Sequence, residues 1–548
     1  MTEVLRDNFE TLFPKIEKDL KQAAVISIDT EFSGLLSSDD FKSSLFDSAQ
    51  ERYLKQRENI SDVLLLQFGL TAFTFDRERN SYSSHSYSFY LFPRTFGSID
   101  VRFKCQASSF EFLCHHKFDF NKFVYNGISF LNEEQDLKVQ QELQEGHLFR
   151  SVERALSFED EDSVQALCSQ VAIWLAGGQP AEEATAKSMV LDVPKSSQTS
   201  QCIAYVVHHE LRRRFISVWT IPENGNVRVL KVSATERAML ESSDTHEAEL
   251  KTALLQSLRG FSRVFKLLVD MKKPIIAHNC TLDLMIMFKQ FCRPLPSSYQ
   301  SFKDSIHSLF PIVYDTKYMS SEFKRKVSKF DCWTSNTLEP LYKYFAMGKG
   351  FTMVPCSPII DSHDYTLGCD PRFHDAAWDS YCAGVCFIRM AHFFSALDLG
   401  RLSLAKPFTS TELVALTDFL ANHINIIRGN LTHFVLGGPD PPSHRPEVIV
   451  VKKRDGGRLD LVQLTERFSK HGSVDVKLTS EKIALVAASS KGMVMDICRD
   501  FYKDSDYIVV KYNKIHHNPV IRTASWCTLA LSFALSGFFL YRAFSRAR

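Results

Sequence analysis

The chain has 548 residues, 45% of them hydrophobic, which is enough for several packed domains. Its formal net charge of +1 excludes a uniformly basic protein, so any surface for nucleic acid has to be local. Its 13 cysteines are odd in number, scattered and without paired C-x-x-C knuckles, which fits reduced cytosolic thiols better than a disulfide frame or a zinc site. Met1 to Pro14 carries Glu3, Arg6, Asp7 and Glu10, so it holds no apolar signal-peptide core.

In chain order, Val25 to Ile28 predicts a short buried strand, and Asp29 and Glu31 follow at i and i+2. Strand geometry puts both carboxylates on one face of the sheet. Two neighbouring anions there repel each other and lose water, a cost that a hard divalent cation with oxygen ligands removes. Taken alone, the motif reads more readily as a strand end with two solvated acids, so it needs partners. A polar stretch from Ser37 to Ser61 follows, then predicted strands at Val63–Leu70 and Ser86–Phe92, making a β-β-β meander. Ser108 to His116 predicts a helix, and Asn126-Gly127 a turn.

Between Gln140 and Asp244 the composition changes. The segment has an acidic run (Glu159 to Asp162), a break at Gly177 and a Ser/Gln/Thr stretch near Ser196. Ile203–His208 and Phe215–Ile221 predict a strand pair around Arg212-Arg213-Arg214, which is either a phosphate contact or a solvated charge run. This is an inserted small α/β subdomain. The main pattern resumes with a strand at Pro274–Asn279, a helix at Leu282–Phe291 holding Asp283 in its first turn, and a strand at Ile312–Lys317. A helix from about His374 to Phe394 carries Asp379. Strands followed by strand–helix alternation argue a mixed α/β sheet with helices on its faces.

Thr411 to Arg428 predicts a connecting helix, and Gly437 to Pro442 a plain linker. Glu447 to Lys511 then gives β-α-β-β-α-β, the split βαβ order at the size of an RNA-recognition-motif (RRM) fold. RNA-binding versions stack bases on aromatics of the first and third strands. Here those strands read Val448–Val451 and Ile483–Val486 without a ring, so the module is degenerate and suits packing or protein binding. Thr523 to Tyr541 is free of charge and flanked by Arg522 and by Arg542, Arg546 and Arg548. That pattern predicts a C-terminal transmembrane helix in a lipid bilayer. The expected boundaries are 1–145 and 245–405 for a two-part nuclease domain, and 146–244 for the insertion. A connecting helix and linker take 406–444, the degenerate RRM-like domain 445–514 and the tail anchor 523–541.

Asp29, Glu31, Asp283 and Asp379 make four carboxylates at strand and helix ends. Such a set can hold two divalent ions about 3.5–4 Å apart, a clamp for in-line attack at phosphorus. His374, five residues before Asp379, is the candidate general base, although alone it would read as a residue packed at a helix start.

D-x-E at Asp29, H-N-x-x-x-D at His278 and H-x-x-x-x-D at His374 resemble the DEDDh exonucleases, within them the family of the poly(A)-specific ribonuclease PARN. The likeness continues in Val63–Leu70, Phe118–Lys122, Asn126–Ile128, Gly260–Val264, Ile276–Asn279 and Asp315–Lys317, and spans roughly Met1 to Tyr512. It implies an RNase H-like fold, dependence on two Mg²⁺ with Mn²⁺ as substitute, and 3′-to-5′ release of 5′-nucleotides from single-stranded RNA 3′ ends. It implies Phe32 as a ring against the terminal nucleoside, which reads equally as core, and Lys317 as a phosphate contact. The insertion stands where that family carries an Arg/His-signature nucleic-acid-binding domain, but no R-x-x-x-H signature is evident. The membrane tail makes the chain similar to PARN-like-domain proteins that trim precursor piRNAs at the mitochondrial surface in germ cells. That branch implies a PIWI-family protein carrying the RNA, a Tudor-domain scaffold as partner, and a mitochondrial outer membrane location with the endoplasmic reticulum as alternative. A homodimer is an assembly the likeness permits. The competing expectations are an mRNA poly(A) deadenylase and an inactive scaffold of RNA proteins at a membrane.

Overall fold

The computed structural model describes residues 1–35, 42–96, 98–145, 158–177, 187–193, 199–244, 246–327, 333, 335–351, 353, 356–362, 372–398, 407–427, 429, 431–443, 448–513 and 519–546. It is an α/β protein that divides into two compact units. The first comprises Met1–Phe41, Gln56–Asn425 and His433–Asp440; the second comprises Lys42–Lys55, Ile426–Thr432 and Pro441–Arg548.

The first unit is built on one mixed sheet. Its strands are β1 (Thr2–Val4), β2 (Val25–Phe32), β3 (Leu65–Asp76) and β4 (Ser81–Tyr90). Three short strands of the insertion come next in the chain: β5 (Ser188–Leu191), β6 (Val218–Glu223) and β7 (Asn226–Lys231). Then β8 (Ile275–Ala277), β9 (Val313–Asp315) and β10 (Ile359–Ser362) return to the main sheet. Its order is β1-β4-β3-β2-β8-β9, with β10 also on β4. The β2-β3-β4 meander is antiparallel, and β8 and β9 add in parallel beside β2. The predicted meander is therefore present, with β3 running six residues beyond its expected end. Thr2–Val4 and the helix Phe9–Gln22 precede it unpredicted.

Each face of the sheet has its own helices. On one face, Phe68 of β3 packs against Phe261, with ring centroids 4.9 Å apart, and Phe261 against Phe291 of the helix Thr281–Phe291 at 5.2 Å. The other face takes the helix Ala376–Asp398. By length and composition this helix could cross a membrane, but 94% of its apolar stretch is buried inside the protein. It is a core helix, apolar all round because protein surrounds it.

Several predicted elements differ. Ile203–His208 is not a strand but part of the helix Thr199–Arg214, and β6 pairs instead with β7 across a tight turn at Asn224-Gly225, both with positive φ. An apolar run of that length is compatible with either state, and here a core formed with Trp174 and Leu254 decides it. The expected strand Ile312–Lys317 ends at Asp315, whose carboxylate accepts the N–H groups of Lys317 and Tyr318 and starts a helix, Thr316–Lys326. Thr411–Arg428 is not one helix: Ser410–Leu416 stops at Thr417, a short 3-10 turn follows, and His423–Asn425 (β11) pairs with His433–Val435 (β12). Gly437 to Asp440 is not a slack linker, since Asp440 accepts from Lys303 at 2.6 Å and from Tyr299 at 2.8 Å. The Ser/Gln/Thr stretch near Ser196 lies outside the described residues.

The second unit contains β13 (Ile449–Lys453), the helix Leu461–Ser469, β14 (Val474–Ser480), β15 (Ile483–Ala488), the helix Lys491–Asp500 and β16 (Tyr507–Lys511). Its antiparallel sheet runs β14-β15-β13-β16 over a core of Ile449, Val451, Phe468, Val486 and Ile497. Part of the polar stretch after β2 belongs here: Asp475 of β14 accepts the Leu45 N–H at 2.6 Å and the Ser44 hydroxyl at 3.2 Å. The chain continues into a helix, Pro519–Arg546.

Candidate active site

β2 continues as strand through both acids, so its alternation sorts them. Val25, Ser27, Asp29 and Glu31 share one face, and Ile26, Ile28, Thr30 and Phe32 the other. Across the antiparallel register Asp29 faces Gly69 and Glu31 faces Gln67. The helix Ala376–Asp398 sits on that same face, very close to the strand. A Cβ on Gly69 would lie 1.9 Å from the Ala376 carbonyl oxygen, and one on Gly384 would lie 2.1 Å from the Phe73 ring. Any side chain at Gly69 would push the helix off the sheet. Polar contacts fix its rotation: Gln67 Oε1 accepts the Ala376 N–H at 3.3 Å, and the Thr71 and Ser380 hydroxyls are 2.8 Å apart. Asp379, in the first turn of this helix, is thereby carried toward Asp29 and Glu31.

Asp283 arrives from the opposite layer. It lies in the first turn of the helix after β8, and its Oδ1 accepts a hydrogen bond from the Thr30 hydroxyl. The turn into that helix runs through Asn279 at φ 62°, a left-handed conformation. It is held by fully buried Asp315, whose Oδ1 accepts the Asn279 N–H at 2.9 Å and whose Oδ2 accepts the Asn425 N–H at 3.0 Å.

The four acids lie in one another's electrostatic field. Burial raises the proton affinity of Asp29 well above the usual carboxylate range, and Asp379, Asp283, Glu31 and Asp375 raise it further. Burial, then Asp379, Asp283 and Asp375, do the same to Glu31. Burial pushes Asp283 up to about 6, against the Thr30 hydrogen bond, and Asp379 up to about 7, against a hydrogen bond from the His374 N–H. Asp379 Oδ1 is buried without a hydrogen-bond partner. A buried carboxylate oxygen in that condition is costly unless something positive meets it. Among the described residues, no group of three or more His, Cys, Asp or Glu side chains is placed so that it could hold a metal ion. The chemistry of the donor set nevertheless suits hard cations: every group is a carboxylate oxygen, and burial together with neighbouring negative charge lifts their proton affinities, a cost that a bound cation would offset.

His374 precedes the helix rather than opening it. It sits at φ 69°, and its N–H donates to Asp379 Oδ2 at 3.0 Å. The helix start belongs to Asp375, whose Oδ1 accepts the Ala377 and Trp378 N–H groups at 3.1 and 3.3 Å. Phe32 follows a register shift in β2 after Glu31 and is 7% exposed. Such an irregularity re-aims a side chain beside a site. Lys317 is half-buried in the first turn after Asp315; burial lowers its ammonium affinity for the proton, and Asp315 partly restores it.

Sequence reasoning missed Asp375 as a fifth carboxylate acting on the cluster, and Thr30 as the partner of Asp283. An Asp just ahead of an apolar helical run is a cap signal, so Asp375 was findable. Nothing in the sequence marks Thr30.

A family model described as CAF1 family ribonuclease matches residues 4–387. The chain is 32% identical over 548 residues to the Bombyx mori protein named Pre-piRNA 3'-exonuclease trimmer, covering 99% of each. It is 30% identical over 542 residues to the Mus musculus Poly(A)-specific ribonuclease PNLDC1, covering 98% of each. To the Xenopus laevis Poly(A)-specific ribonuclease PARN it is 28% identical over 512 residues, covering 90% of this chain and 78% of that one. Among solved structures, S. pombe Pop2p in its Mg²⁺- and Mn²⁺-bound form aligns with 71% of this chain and 91% of its own at 15% identity, with a TM-score of 0.32.

Proposed function

From a chain that belongs to the CAF1 family of ribonucleases, in its PARN branch, and is a 3′-to-5′ exoribonuclease, we infer a Mg²⁺-dependent enzyme that trims the 3′ ends of small-RNA precursors. The observation that carries the chemistry is the meeting of Asp29, Glu31, Asp283 and Asp379 at one end of the sheet, each with raised proton affinity. In this reading the mixed sheet is of the RNase H-like, DEDDh type. Asp29, Glu31, Asp283 and Asp379 would hold two Mg²⁺ or Mn²⁺ ions. When bound, such ions supply neutralising charge for an in-line displacement at phosphorus and activation of water.

The chain's own groups do the rest. Thr30 and the His374 N–H orient Asp283 and Asp379, each through one carboxylate oxygen. His374 accepts the proton of the attacking water at a ring nitrogen, as a general base exposed at the edge of the cluster. Phe32 borders the terminal nucleoside and Lys317 contacts a phosphate.

The substrate assignment is supported by relatives that align end to end with this chain, the pre-piRNA trimmer among them. The second reading, a poly(A) deadenylase, is favoured by the names of the PNLDC1 and PARN relatives, each a poly(A)-specific ribonuclease. In the first reading the RNA is presented by a PIWI-family protein with a Tudor-domain scaffold at a membrane. The tail offers the anchor: Thr523–Phe539 is an apolar stretch of 17 residues within the helix Pro519–Arg546, and its Trp526, Phe533 and Phe539 are 67, 71 and 64% exposed. Such a face is covered at little cost by lipid. The mitochondrial outer membrane is the proposed location and the endoplasmic reticulum the alternative; self-association into a homodimer is compatible with either.

The test offers purified protein 5′-labelled RNAs with different 3′ tails and Mg²⁺, both naked and PIWI-bound. Trimming of PIWI-bound RNA irrespective of tail sequence, blocked by a terminal 2′-O-methyl group, is the expected outcome. Activity confined to oligo(A) tails and stimulated by a 5′ cap would replace this reading with the deadenylase. Removal of residues 524–548 should release the protein from membranes with its rate on naked RNA unchanged; retention after a salt wash would exclude the anchor.

A further inference from the structure

His374 is held oddly for a residue assigned to move a proton. Its backbone is left-handed, its side chain is exposed, and its ring makes no hydrogen bond or ion pair among the described residues. What touches the ring comes from another element. The His116 ring centroid is 4.2 Å away and the Phe112 centroid 4.8 Å away, and those two rings are themselves 4.6 Å apart. The three rings close a triangle in which none is coplanar with another, with interplanar angles of 54°, 77° and 53°.

The base of that triangle is stiff. Phe112 lies in the helix Ala107–His115, and the His116 N–H donates to the Phe112 carbonyl at 3.1 Å, so the two side chains stack one turn apart. The helix stops at once. Lys117 is left-handed at φ 62°, and the Phe118 N–H returns to the carbonyl of buried Leu113 at 2.9 Å. An exposed imidazole on a left-handed residue would otherwise exchange rotamers freely.

We propose that His116 is a positioning residue for the exonuclease reaction: its ring, with that of Phe112, holds the His374 imidazole in the orientation from which it serves the acid cluster. The proposal rests on the reading of His374 as the general base. It concerns ring contact, so an aromatic ring without nitrogens serves as well as imidazole at position 116. A misplaced base lowers the rate of the chemical step without weakening RNA binding.

The experiment compares His116→Ala, His116→Phe, His374→Ala and the double variant His116→Ala/His374→Ala. Single-turnover hydrolysis of a naked 5′-labelled RNA with Mg²⁺ is measured across RNA concentrations. His116→Ala should lower the maximal rate about tenfold with unchanged half-saturation, short of the about 10²–10⁴-fold expected for His374→Ala. His116→Phe should recover most of the loss, and His116→Ala should add nothing once His374 is gone. A wild-type rate for His116→Ala beside an inactive His374→Ala overturns this inference alone. So does a further loss that His116→Ala adds to His374→Ala in the double variant, or a loss that His116→Phe shares. A wild-type rate for His374→Ala overturns the general-base reading and this inference with it.

Discussion

Two clusters of charge in the first unit are built on opposite terms. At the end of the central sheet, carboxylates face carboxylates, every strong charge acting on Asp29 is negative, and one oxygen of Asp379 has no partner. In the insertion, the Arg212-Arg213-Arg214 run meets acids throughout. Fully buried Glu210 accepts from Arg213 at 2.9 Å and from Arg214 at 2.8 Å, three and four residues along one helix. Arg212 is bonded to Asp244 at 2.6 Å and to the Thr220 hydroxyl at 2.8 Å, with its guanidinium over the Trp219 ring at 3.7 Å. The basic run is thus a structural cluster, and the acidic one is the cluster to which we assign the chemistry. A set of charges that satisfies itself holds the fold, whereas a set left in mutual repulsion is waiting for a counterion.

The largest effect that would break this contrast concerns the acids. Asp379→Ala or Asp283→Ala should remove several kcal/mol of transition-state stabilisation, about 10³-fold or more in rate. The metal-free protein should melt no earlier than wild type, because a repulsive partner has gone. Near-normal hydrolysis by Asp283→Ala would show that these carboxylates are not the site.

Glu210→Ala should do the reverse. It strands Arg213 and Arg214, and should cost roughly 2 kcal/mol of stability, less than a fully buried pair because both guanidinium groups are partly solvated. The folded enzyme should keep its rate on naked RNA, measured below its melting transition. A lost rate at full occupancy of the folded state would assign the insertion a part in catalysis.

The two clusters also respond oppositely to pH. Asp283 and Asp379 have folded-state values raised to about 6 and about 7, so their neutral forms suit the fold. Their stability contribution is fully present below the ordinary aspartate value and is lost progressively from there as pH rises to about 6 for Asp283 and about 7 for Asp379. Metal-free protein should therefore melt progressively earlier over that window, and Mg²⁺ should restore it most at the alkaline end. Burial works against ionised Glu210, but His209 beside it and hydrogen bonds from Arg213 and Arg214 hold it well below the usual carboxylate range. Its contribution is present above the ordinary glutamate value and is lost on acidification below it. The stability gap between wild type and Glu210→Ala should close in acid. Melting curves of the two proteins across pH, with and without Mg²⁺, check both signs.

The smallest effect separates pairing from burial within the basic run. Arg213 is 54% exposed, so Arg213→Ala should shift stability by no more than about 0.5 kcal/mol in chemical denaturation. A loss comparable to that of Glu210→Ala would mean that Arg213 is tied down by something beyond its carboxylate.

The parts of the site that follow a short period were legible in the residues. Asp29 and Glu31 fall on one face because a strand alternates, and Asp283 and Asp379 fall in first turns because strands and apolar helices bracket them. What eluded the sequence depended on competition between local and distant partners. Ile203 to His208 is apolar enough for either state, and the neighbours Trp174 and Leu254 settle it as helix. Lys317 and His374 were placed in the wrong elements for one reason: Asp315 and Asp375 each cap the helix that follows, which ends the strand before Lys317 and leaves His374 outside. The rings of Phe112 and His116 reach His374 across more than 250 residues of chain, and no periodicity signals that.

The seating of the helix Ala376–Asp398 on β3 has a further consequence. At Gly69 the helix meets the sheet through peptide groups, with no side chain between them. Peptide groups have no rotamers to exchange, so the gauge between the strand of Asp29 and the helix of Asp379 is stiff in a way that side-chain packing is not. Substitutions elsewhere in the core can loosen the molecule without altering that gauge. Catalytic rate and thermal endurance should then vary independently across core variants, each enzyme keeping its pace until the temperature at which it unfolds.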